Sequence, residues 1–134
     1  MHDMEPTGRR PSARTIQRNL RRLSWLCAGA ALLYLFTRYE FLRLPSENCS
    51  PIALYRAGET LLVDTRCREY PVDSALVFRG TDGRRYIARV TASEAERGVW
   101  VESDNVDCPG KGSDEFGWIP PESWHGRILF AWPW

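Results

Sequence analysis

The chain has 134 residues, of which 43% are hydrophobic and 26% charged, a balance that excludes wholesale disorder. A formal net charge of +1 excludes a generally basic nucleic-acid binder, and two histidines, His2 and His125, are too few for a histidine-rich metal site. The sum hides an asymmetry: residues 1–22 hold six arginines against Asp3 and Glu5, while residues 37–134 carry 12 basic and 15 acidic groups.

Residues 1–21 read as a polar, basic tail containing Pro6 and Pro11 and ending in the run RTIQRNLRR. LSWLCAGAALLYLFT follows over 23–37 without a charge. At 1.5 Å per residue it spans about 22 Å, short of a hydrocarbon core of about 30 Å. Extension through Tyr39 and Phe41, with Arg22 and Arg38 snorkelling at the ends, predicts a transmembrane helix over 22–42. The arginine flank places the tail in the cytoplasm and residues 43–134 outside the inner membrane. Two other readings are weaker. No small-x-small cleavage site follows Phe36, as a removed signal peptide requires, and the arginines argue against a buried soluble helix.

After Arg43 the pattern changes to short apolar runs between turn residues. GETLLVD, SALVFRG, RRYIARV, GVWVES and GRILFAW each read as a strand. Asp82-Gly83 predicts a hairpin that pairs Ala75–Phe78 antiparallel with Tyr86–Val90. NVDCPGKGSDEFGWIPP, residues 105–121, reads as an ordered Gly/Pro-rich loop. Cys49, Cys67 and Cys108 match no zinc spacing and predict one disulfide with a leftover thiol, the pairing open. No metal or cofactor motif is present in the sequence. Trp100, Trp118, Trp124, Trp132 and Trp134 read as core or interface anchors. The fold class expected is mainly β, a small domain tethered by one N-terminal helix.

The motif order adds a resemblance. SPIALYRAGETLLV (50–63) is similar to the serine box of type I signal peptidases, with Ser50 on the nucleophile and Gly58 on the box glycine. Its SPIALYR start resembles the related conjugation-system maturation peptidases. DSALVF (73–78), YIARV (86–90), SDN (103–105), SDEFGWIP (113–120) and HGRI (125–128) resemble the later boxes in the same order. The chain departs from the family at Pro51, Leu54 and Tyr55, and Glu59 replaces the box aspartate.

The resemblance implies a signal peptidase-like β domain in which Ser50 meets the strand position occupied by Ala88, in a groove bordered by Asp104 and Ser113. The family places its general-base lysine at that position, and alanine accepts no proton. Arg89 faces the opposite way on a strand and stays charged, so it offers no base. Lys111 is the alternative base, with Asp114 beside it in the loop; Asp104, Asn105 and Ser113 are supporting residues. Two readings follow. One is a degenerate, non-catalytic relative that binds a peptide or docks against another membrane protein subunit. The alternative is an active serine endopeptidase that processes exported or conjugative precursor proteins. Neither involves nucleic acid or a cofactor.

Overall fold

Asp82-Gly83 forms the expected turn. Gly83 takes φ 78°, its N–H donates to the Gly80 carbonyl, and Asp82 Oδ1 accepts the Arg84 N–H. Aspartate caps the turn and glycine supplies the left-handed backbone that a side chain disfavours. In this computed structural model, which describes residues 13–44 and 49–133, the turn joins β3 (Ala75–Arg79) to β4 (Arg85–Glu94). The pairing is antiparallel in the expected register, with Leu76 opposite Ala88 and Val77 opposite Ile87.

The other elements are α1 (Ala13–Arg38), β1 (Tyr39–Arg43), β2 (Thr60–Asp64), β5 (Gly98–Glu102), the single turn α2 (Ser113–Phe116) and β6 (Trp124–Trp132). A short 3-10 turn, Pro121–Ser123, precedes β6. The six strands form one antiparallel sheet in the order β1-β2-β6-β3-β4-β5. The chain divides into two compact units, with the boundary after Phe36.

Two apolar layers pack on the sheet. Ala75, Val77 and Ile87 pack with Leu44, Ile52, Leu61, Val63 and Ile128 in one layer. Leu76, Phe78, Ala88 and Val90 pack with Tyr70, Val99, Val101 and Ile119 in the other. Strand side chains alternate between faces, so each layer takes every second residue of β3 and β4. The sheet also coils. Glu40 of edge strand β1 reaches Arg85 at the start of β4, 2.9 Å away, and His125 of β6, 2.7 Å away.

The N-terminal expectation is corrected in two ways. Helix α1 starts at Ala13 and ends at Arg38, so the span 22–42 is not one helix. Tyr39–Arg43 is a strand, paired to β2 with Glu40 opposite Val63 and Leu42 opposite Leu61. The aromatic residues expected at a membrane interface are here β-formers on a sheet edge. Among the described residues no helix is long and apolar enough to cross a membrane. The apolar stretch is bounded by Arg14, Arg18, Arg21 and Arg22 within the same helix and by Arg38 at its end, where β1 begins. The single-pass anchor, the inner-membrane localisation and the inside–outside topology built on it are therefore overturned. Residues 1–12 of the expected tail and Trp134 lie outside the described residues.

Candidate functional site

Ser50 opens a turn that is held by the SDN segment. Asn105 donates through Nδ2 to the Ser50 carbonyl at 2.7 Å, and the Ser103 hydroxyl donates to the Pro51 carbonyl at 2.7 Å. The Asp104 and Asn105 N–H groups point to the same Pro51 oxygen, and Asp104 Oδ1 accepts the Ala53 N–H at 2.7 Å. A disulfide between Cys49 and Cys108 fastens the start of this turn to the Gly/Pro-rich loop. That assigns the pairing left open by the sequence, with Cys67 the remaining free thiol in the β unit.

Beneath the turn, Arg89 of β4 ion-pairs through Nε with Asp104 and donates through its guanidinium to the Asp73 carbonyl at 2.7 Å. Partial burial acts to raise the Asp104 carboxyl, but hydrogen bonds from the Ala53 amide and Arg89 outweigh it and hold it below the ordinary value. The structure thus brings Ser50, Arg89, Asp104 and Asn105 into one network.

Ala88 lies elsewhere. Its side chain is 1% exposed and belongs to the layer of Leu76, Val90, Val99 and Val101, whereas Ile52, two residues from Ser50, packs in the layer of Val77 and Ile87. The face of β4 turned toward the Ser50 turn carries Ile87 and Arg89, so the juxtaposition of Ser50 with Ala88 implied by the boxes is not the geometry observed. Ser113 is also an internal fastening. Its hydroxyl accepts the Val101 N–H at 2.8 Å, and the residue is 2% exposed. Asp114 is exposed on α2.

The hydroxyl of Ser50 is engaged within its own turn. It donates to the Ile52 carbonyl at 3.0 Å and accepts the Ile52 N–H at 3.3 Å, with the residue 4% exposed. Lys111 Nζ sits 2.6 Å from Glu115 Oε1 and near the rings of Tyr86 and Phe116. The hydrogen bond to Glu115 raises the Lys111 pKa above its usual value. A general base needs the opposite shift.

A cleft of about 660 Å³ adjoins the disulfide and the Ser50 turn. Leu42, Arg43 and Leu44 line it from the β1 side, Arg85 and Ile87 from β4, and Pro51, Gly110 and Lys111 from the loops. Gly110 allows the two loops to meet, since a Cβ there would lie 2.3 Å from Pro51 Cβ. Among the described residues, edge strand β1 leaves backbone groups free. The Leu44 N–H donates to Glu59 and the Thr65 N–H to the Arg38 carbonyl, so even-numbered residues of β1 bond to β2. The backbone N–H and C=O groups of Tyr39, Phe41 and Arg43 project from the unpaired edge. Arg43, Arg85 and Gly110 escaped the sequence reading because no motif marks them; only the chain's folding gathers them.

No protein-family model, curated protein or solved structure matches the chain. The likeness to signal peptidases rests on the six short motifs and their order.

Proposed function

We propose that this chain is a non-catalytic, signal peptidase-like β domain that binds an extended peptide in the cleft beside the Ser50 turn. The observation that carries the reading is the pairing of an occupied serine hydroxyl with an open, apolar-based cleft along a strand edge that no described strand pairs. Ser50 is closed on Ile52, Ala88 is turned into the other core layer, and Lys111 is held as a cation by Glu115. Serine attack needs a neighbouring base to take the hydroxyl proton, and these residues offer none. Peptide binding needs less. An extended segment adding to a sheet edge gains main-chain hydrogen bonds, and its alternate side chains enter the cleft.

The test is labelling of the full chain with a serine-reactive phosphonate, read by mass spectrometry, with Ser50→Ala beside it. The non-catalytic reading expects no adduct above the Ser50→Ala background. Stoichiometric modification of Ser50 overturns it in favour of an active endopeptidase.

A further inference from the structure

The cleft is cationic at its rim and apolar at its base. Arg43, Arg85 and Lys111 line it, and among the described residues no acidic side chain does. Arg85 and Lys111 have ion partners in Glu40 and Glu115, but both pairs are two-fifths to one-half exposed. Exposed pairs of this kind contribute little and exchange partners readily. Arg43 has no ion partner among the described residues, and its own N–H and C=O groups face the outer edge of β1, where no described strand pairs with them.

We propose that the bound peptide carries an acidic side chain flanked by apolar ones, and that Arg43 selects for it; this rests on the peptide-binding reading above. The reasoning is the alternation of a strand. A peptide paired to the β1 edge places the residue opposite Arg43 on the same face as the guanidinium, where directly opposed side chains lie within reach. Its two neighbours then face the other way, on the side of Leu42 and Leu44, toward Ile87 and the apolar base. Arginine takes a carboxylate through two parallel N–H donors, which a neutral amide cannot reproduce. The pattern recognised is apolar–acidic–apolar.

The experiment titrates isotopically labelled full-length chain with acetyl-Ser-Val-Glu-Val-Ser-amide, its Gln analogue, and the Gln analogue with a free C-terminus, following amide shifts. The Glu peptide is expected to bind about tenfold tighter than either Gln peptide. Arg43→Gln is expected to bring that ratio to about one, while Arg84→Gln, in the β3–β4 turn, leaves it unchanged. Added salt is expected to shrink the preference. Equal affinity for the Glu and Gln amides overturns this selectivity and leaves peptide binding standing. A free C-terminus that matches the Glu peptide overturns it also, by assigning the carboxylate to the chain end. Failure of all three to bind removes the peptide-binding reading itself.

Discussion

Arg89 is joined to Asp104 by an ion pair that spans from strand β4 to the loop holding Ser50. The arginine comes from β4 and also grips the Asp73 carbonyl ahead of β3, while the aspartate accepts the Ala53 amide. One guanidinium therefore sets the height of the Ser50 turn above the strand. The side chains are 24% and 32% exposed, so the pair is partly shielded from water. Its position matters more than its energy: a shift in Asp104 is a shift in the wall beside the cleft.

Asp104→Ala is expected to cost about 1 kcal/mol, in line with one net hydrogen bond and a partly exposed ion pair. The sharper readout is local. The Ala53 amide loses its acceptor, so its hydrogen exchange is expected to accelerate far more than that of Val77 at the sheet centre. Equal acceleration at both positions would mean that the aspartate supports global stability and does not position the turn.

Much of the sheet was legible because β2 to β6 each carry an apolar run bounded by turn residues, and Asp82-Gly83 dictates its hairpin. Tyr39–Arg43 was not. Its aromatic and charged residues suit a membrane interface as well as a sheet edge, and its partner β2 begins 17 residues after β1 ends. Pairing at that distance leaves no local trace. The face of Ala88 was equally hidden. Leu76, Val77, Ile87 and Ala88 are all buried, so alternation along the strands does not reveal which residues look toward the Ser50 turn. In contrast, the proximity of Ser50 to Asp104 and Asn105 was foreshadowed by motif order, though the hydrogen bonds that produce it were not.

Ala88→Lys discriminates the observed geometry from the one implied by the boxes. In the structure the new ammonium would enter the apolar layer of Leu76, Val90, Val99 and Val101. An unpaired buried charge of this kind is expected to cost about 3 kcal/mol or more. Urea unfolding is expected to show that loss, and peptide cleavage is expected to remain absent. Gain of cleavage at unchanged stability would place residue 88 beside Ser50 after all.

Acid sensitivity should centre on Asp64. Two Arg38 donors reach it, the closer at 2.8 Å, and the Arg66 amide adds a third bond at 3.0 Å; the carboxylate side chain is 7% exposed. The Arg38 hydrogen bonds hold its carboxyl below the ordinary value against the opposing effect of burial. A depressed carboxyl pKa contributes stability that is fully present above the unfolded value, near pH 4, and is lost as pH falls through the lower folded value. Arg38→Gln is expected to cost about 2 kcal/mol at pH 7, with the removed partner one-third exposed and the remaining one buried. It should also flatten the decline of melting temperature below pH 4. An unchanged acid profile in the variant would assign the sensitivity to Asp104 or Glu40.

The Cys49–Cys108 disulfide should be the covalent strut of the cleft. It closes a loop of 59 residues with a Cα separation of 5.6 Å, and both cysteines line the cleft. Closing a loop of that length restricts the unfolded chain by about 4 kcal/mol in the chain-entropy account. Cys49→Ser/Cys108→Ser is therefore expected to lower the urea midpoint markedly, and added dithiothreitol is expected to lower the wild type to nearly the same value. Cys67 donates its thiol to the Glu69 carbonyl and forms no disulfide, so Cys67→Ser should leave the midpoint within experimental scatter. The local consequence is the more telling one. Without the bond, Pro51 and Gly110 are no longer tied through their neighbours, and exchange of the Gly110 amide should rise before that of β3. Peptide mapping under oxidising conditions that recovered a Cys67 disulfide instead would overturn the pairing, and with it the account of how the cleft wall is held.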